Sequence, residues 1–167
     1  RLGVETSRTE VDAASLPRPL PEALPPRGAD LGVPDAEPWQ TPNPDFYRID
    51  TVLSPPLVTA TDWRLRVHGL VEREVELDFD DLVRVGLVDR WVTLVCVSNN
   101  VGGDLVGNAL WTGVPIADVL GMAGPLAEAD AVRSTSQDGW TCGTPLEVLT
   151  DGRDALFAVG MNGEPLP

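Results

Sequence analysis

Apolar and polar residues alternate through WRLRVHGL (63–70): Trp63, Leu65 and Val67 fall on one face, Arg64, Arg66 and His68 on the other. A period of two marks a strand buried on one side. EVELDF (74–79) repeats the pattern, with Val75, Leu77 and Phe79 inward. DFDDLVRVGL then changes period. Asp78 is a natural N-cap and acids fill the first turn, which predicts a short helix. RWVTLVCV (90–97) is rich in β-branched residues and follows a charged turn. It predicts a central strand with Val92, Leu94 and Cys96 on one face. A loop rich in Asn and Gly comes next, then VPIADVLGMAG (114–124), a helix with Pro115 near its N1 position. DAVRSTS and ALFAVGM read as strands, with a short helix PLEVL between them. Strands and short helices mix without a regular βαβ rhythm. The expected class is α+β, with mixed or antiparallel sheets and short helices.

Residues 1–45 follow neither period. They hold more than half of the 16 prolines. Proline fixes φ and removes a backbone donor, so 12–45 is expected to run as an extended lead-in across a surface. Residues 1–10 could be the frayed end of a preceding helix. The domain proper is expected over 46–167. The chain opens without Met, and its last residues, MNGEPLP, contain an Asn-Gly hairpin signal with nothing after it to pair. Both ends read as cuts in a longer protein.

Composition narrows the chemistry. The 167 residues suit one domain with a real core. The net charge is −14, and all 12 basic residues are Arg. Without Lys there is no P-loop lysine and no Schiff base. The acidic balance argues against a nucleic-acid partner. A single histidine, His68, excludes zinc sites built from several, and Cys96, Cys142 and His68 lack CxxC or HExxH spacing. Two cysteines make no disulfide framework; they could form one bond, but if Cys96 faces a pocket both are expected to be free. No run of 18 apolar residues could span a membrane, and no signal peptide is visible.

Cys96 stands at the mouth of the Asn/Gly loop. A buried small hydrophobe is one account of it. The loop supports another: Gly102, Gly103 and Gly107 allow close backbone approach, and Ser98, Asn99, Asn100 and Asn108 supply short polar groups. A thiolate there can bind a soft metal, but one Cys cannot hold a metal alone.

The stretch TLVCVSNNVGGDLVGNALWTGVPIADVL resembles the molybdopterin-binding segment of the sulfite-oxidase-fold oxidoreductases, closest to the actinobacterial membrane-anchored members. NPDFYRIDT, WRLRVHGLVEREVELDFDDL, SQDGWTCGTPLE and DALFAVGMNGEPLP support the resemblance, which covers all but the Pro-rich start. It implies a sulfite-oxidase-type molybdopterin-binding fold, truncated at its C-terminus. It implies that Cys96 ligates molybdenum while the pterin dithiolene and oxo groups complete the site. Phe46, Tyr47 and Arg48, with Asp45 beside them, match an early pterin contact, and Asp138 matches an acidic pterin contact. Each has an ordinary reading too: Arg48 as a surface ion-pair partner, Phe46 as core, Asp138 as a turn residue, Trp111 and Trp140 as core rather than pocket walls, Cys142 as packing and His68 as surface.

The sequence also departs from the family. Sulfite oxidases follow the Cys with substrate-binding arginines, where Asn99, Asn100 and Val101 stand here. The later HGFP.R segment, a Lys-bearing strand and the dimerisation domain are absent. The resemblance therefore implies a molybdopterin-dependent oxidoreductase that transfers an oxygen atom and two electrons, acting on S- or N-oxides rather than sulfite. Its partners would be a small oxo donor or acceptor and an electron-transfer protein. Membrane attachment would come from regions outside this chain, with the domain on the extracytoplasmic side. The cofactor is expected to be absent from residues 1–167 alone. Two other readings stand beside this one: a cofactor-free binding or assembly module with the same fold, and a cysteine hydrolase using His68 as base.

Overall fold

The computed structural model describes residues 23–33, 38–54 and 56–166. The helix end expected at 1–10 lies outside them, as does part of the lead-in. A 3₁₀ turn, Asn43–Asp45, precedes the first strand. β1 (Arg64–Val67) and β2 (Val75–Asp78) pair antiparallel, Leu65 opposite Leu77 and Val67 opposite Val75. The alternation sets this register, because a slip of one residue would turn Leu77 out to water. Asp78 caps α1 (Phe79–Val85): it accepts the Asp81 amide at 2.7 Å while the Asp81 carboxylate accepts the Asp78 amide. This reciprocal bond satisfies two donors at the helix start.

A four-stranded sheet follows, in the order β3-β4-β7-β8, from β3 (Val88–Val95), β4 (Val106–Pro115), β7 (Leu156–Met161) and β8 (Glu164–Pro165). β5 (Ala131–Thr135) and β6 (Thr141–Pro145) form a separate antiparallel hairpin. Helices α2 (Ile116–Ala123) and α3 (Leu146–Thr150) complete the elements. All strand pairs among the described residues are antiparallel. The core gathers Leu77, Leu82, Val114, Val119 and Val159, with Trp63, Leu65, Val67, Val75, Phe79 and Phe157 packed against it.

Several sequence expectations need correction. β3 is an edge strand rather than a central one, and it ends at Val95, so Cys96 lies just beyond it. The expected helix 114–124 begins at Ile116, because Val114 and Pro115 end β4 and Pro115 is the N-cap. The sequence pattern carries no strand signal for β4. Its Gly107, Asn108 and Gly113 are poor strand formers, but tertiary contacts require them. A Cβ at Gly107 would lie 2.6 Å from the Phe46 ring, and one at Gly113 would lie 2.5 Å from the Phe157 carbonyl, where the β4–β7 register shifts. The Asn-Gly signal does close a hairpin: Asn162 and Gly163 take positive φ and β8 pairs back on β7.

The lead-in is tied to this sheet. The Thr41 amide donates to the Asn108 carbonyl at 2.8 Å, and the Asn108 side chain donates to the Trp39 carbonyl at 2.6 Å. Trp91 stacks edge-on against Trp39 and donates its indole N–H to the Ala23 carbonyl. The Asn162 side chain donates to the Thr41 carbonyl at 3.0 Å and to the Asn43 side chain at 2.7 Å. These bonds fix where the chain enters residues 45–48.

Candidate functional site

The loop after β3 is closed by hydrogen bonds at its neck. The Cys96 amide donates to the Leu105 carbonyl at 3.0 Å, and the Cys96 carbonyl accepts from the Asn99 amide at 2.9 Å. The Asn99 side-chain oxygen accepts the Leu105 amide at 2.9 Å. Cys96 is half-buried and free. Cys142 is also free, as expected, but it lies exposed on β6 opposite Ser134, which overturns the packing account of it.

Apolar side chains near Cys96 in sequence stand open to solvent. Leu94, Val95, Val97 and Val101 are all exposed. Between Trp91 and Pro115 the one charged residue is Asp104. Among the described residues no group of three or more His, Cys, Asp or Glu side chains could hold a metal ion. A metal at Cys96 would therefore take its remaining ligands from a cofactor. A single soft donor at a partly open strand end fits a group that brings its own sulfurs.

The other sequence-derived candidates divide. Phe46 lies over Gly107, which pairs with Leu94 two residues before Cys96. Its ring meets Trp111 edge-on at 5.5 Å and stacks on Tyr47 at 5.4 Å. Phe46 is thus a packing residue that brings Tyr47, half-buried, to the Cys96 end of the β3–β4 ribbon. Asp45 is exposed in the 3₁₀ turn. Arg48 is exposed and paired with Asp50 at 3.0 Å, in keeping with its ordinary surface reading.

Asp138 sits at the β5–β6 tip. Its carboxylate accepts from the Ser136 hydroxyl and from the Trp140 amide at 3.1 Å. The Ser136 bond first, then the Trp140 amide, hold the carboxyl below the usual carboxylate range, and the Thr51 hydroxyl adds to the effect. The turn thus lies beside the segment that follows Arg48. Trp140 is largely exposed, not core, whereas Trp111 is half-buried and donates to the Val92 carbonyl at 3.1 Å. His68 is exposed just past β1, and among the described residues no side chain hydrogen-bonds the Cys96 thiol, so the hydrolase reading has no general base in place.

Sequence reasoning missed one buried acid. Asp89 accepts from the Thr112 hydroxyl at 2.6 Å, both being buried, and its second carboxylate oxygen has no partner. Its neighbours Val88 and Arg90 carry no signal that would distinguish it from a turn residue.

Residues 52–167 match the family model described as the oxidoreductase molybdopterin binding domain, and the chain belongs to that family. It is 33% identical over 106 residues to the uncharacterized oxidoreductase YuiH of Bacillus subtilis (strain 168), covering 64% of this chain and 51% of that protein. It is 30% identical over 148 residues to an NADPH nitrate reductase of Aspergillus niger, covering 74% of this chain and 17% of the reductase. The chain therefore spans about half the length of the Bacillus relative and a small part of the nitrate reductase. Among solved structures, the sulfane dehydrogenase SoxCD from Paracoccus pantotrophus superposes with a TM-score of 0.60 at 20% identity, over 90% of this chain and 52% of that one. This likeness establishes a sulfite-oxidase-type fold of antiparallel sheets and short helices.

Proposed function

We propose that this member of the molybdopterin-binding oxidoreductases uses Cys96 as a thiolate ligand to molybdenum in a reaction that moves an oxygen atom with two electrons. The carrying observation is the free, half-buried Cys96 at a strand end, with no cluster of three protein ligands among the described residues. The cofactor supplies the redox chemistry when bound. The chain's own share is to present one soft donor and to keep its loop closed. Tyr47, carried by Phe46, and Asp138, held in its turn, are the other residues proposed for the pterin side, with Asp45 and Arg48 beside the first.

The proposed substrate is a neutral S- or N-oxide rather than sulfite. An anion entering a low-dielectric pocket needs a compensating cation. Arg90 is committed to Asp154 at 2.7 Å and Arg48 to Asp50, and no cation lies between Trp91 and Pro115. An electron-transfer partner and attachment to a membrane, on its extracytoplasmic side, belong to the same proposal. No helix among the described residues is long and apolar enough to cross a membrane.

The test is Cys96→Ser in the full-length protein, reading molybdenum, pterin and turnover. Replacing a soft donor by a hard one changes the metal's electronics. Activity should vanish with the thermal transition unchanged, and full activity would refute Cys96 as a ligand. Steady-state kinetics with sulfite and a panel of neutral oxides tests the substrate. A higher kcat/KM for sulfite than for every oxide would reverse that assignment.

A further inference from the structure

The loop neck departs from a regular antiparallel ladder in one informative way. Cys96 and Leu105 continue the register of Val95 opposite Val106, and the Cys96 amide donates to Leu105 as a ladder pair should. The return bond is missing. The Leu105 amide should donate to the Cys96 carbonyl, but that carbonyl accepts from the Asn99 amide at 2.9 Å. The Leu105 amide goes instead to the Asn99 side-chain oxygen, also at 2.9 Å. Asn99 thus takes both halves of the bond that would have extended β3 by one residue. Its backbone claims the carbonyl, and its side chain satisfies the amide left over. The fit is close, since a Cβ at Gly103 would lie 2.6 Å from that same side-chain oxygen.

We infer that Asn99 is a positioning residue for the Cys96 thiol: by breaking the ladder at Cys96 it turns this residue out of β3 and sets where its sulfur points. Without the Asn99 acceptor, the Leu105 amide is left unpaired. The cheapest repair is the regular bond to the Cys96 carbonyl. That repair rotates the Cys96 peptide and adds Cys96 to the strand. The position of the acceptor oxygen, not its charge, matters, so Asp can replace Asn99 and Ala cannot. The functional meaning rests on the proposed role of Cys96, but the geometry does not.

The experiment reads the thiol in the cofactor-free chain, so it stays informative even if Cys96 proves not to bind molybdenum. In a Cys142→Ser background, the rate of Cys96 alkylation by iodoacetamide is compared for Asn99, Asn99→Ala and Asn99→Asp, with amide hydrogen exchange at Leu105 read in parallel. Asn99→Ala should change the alkylation rate by about fivefold or more, on the scale of one hydrogen bond, and Asn99→Asp should restore it. If Asn99→Ala does not fold, Asn99→Gln, with its acceptor displaced by one carbon, serves in its place. Loss of Leu105 protection with an unchanged alkylation rate would overturn the proposal, leaving Asn99 a loop staple. Equal rates in the Ala and Asp variants, both altered, would overturn it as well.

Discussion

The two ends of the β3–β4 ribbon are built alike and end up differently. Val88 to Val95 pair residue by residue with Gly113 to Val106. At the Gly113 end, Val114 is fully buried under Leu82, Val119 and Val159. At the Val106 end, Leu94 and Val95 face water, and Val97 and Val101 beyond them are wholly exposed. Apolar content does not explain this, because valine is as apolar at 95 as at 114. The difference lies in what is stacked on the ribbon. α1, α2 and the β1–β2 pair cover one end, while Phe46 and the lead-in touch the other. Stability is therefore concentrated at the covered end and the candidate chemistry at the open one, where local opening costs least.

Substitutions at the covered end should cost the most. Leu82 is almost fully buried in the core cluster. Leu82→Ala should cost about 2–5 kcal/mol, from lost transfer energy and the cavity left behind. Val97→Ser at the open end should stay within about 0.5 kcal/mol, as surface changes do. Urea unfolding of both variants checks the contrast, and equal losses would mean that Val97 is covered in solution.

The next effect sits toward the open end, at the junction of the ribbon with Phe46. Gly107→Ala places a methyl 2.6 Å from the Phe46 ring, so the ring must move. Overpacking of this kind should cost about 1–3 kcal/mol. Phe46→Leu should relieve most of that cost in the double variant, which identifies the ring as the obstacle. A displaced Phe46 also carries Tyr47 away from the Cys96 end. In the full-length protein, Gly107→Ala should therefore lower pterin content as well as stability.

That junction also explains what could be read from the sequence. β1, β2 and α1 were legible because their signals are local: alternation from Trp63 to Val67, and a cap at Asp78. β4 was not, since Gly107 and Gly113 answer to Phe46 and Phe157, residues distant in sequence. β6, TCGTP, hides for a similar reason: its pairing with β5 is fixed by the turn at Asp138, not by an apolar stripe of its own. At the site, the place of Cys96 beside a polar loop was legible. The Asn99 bond to the Leu105 amide was not, because a hydrogen bond spanning six residues leaves no pattern in composition.

The smallest effect concerns Asp138, and it decides what that carboxylate is for. Its bonds to Ser136 and Trp140 depress its pKa below the ordinary aspartate value of about 3.9. A depressed folded-state pKa contributes stability that is present above the unfolded value and is lost as pH falls through the folded one. The dependence should therefore appear below about pH 4. It should be slight, because the group is exposed and solvent screens it. Asp138→Asn keeps an oxygen to accept from Ser136 and Trp140, so the turn should survive while this part of the acid dependence disappears. The Trp140 amide shift, followed by NMR through an acid titration, reports the folded pKa directly. A depressed value in the wild type, with the turn retained in the Asn variant, means that the carboxylate is occupied by its own turn. An undepressed value means that the Ser136 and Trp140 bonds do not hold the charge. The carboxylate is then free for a ligand, and the β5–β6 tip belongs with Cys96 to the open, chemical end of the molecule.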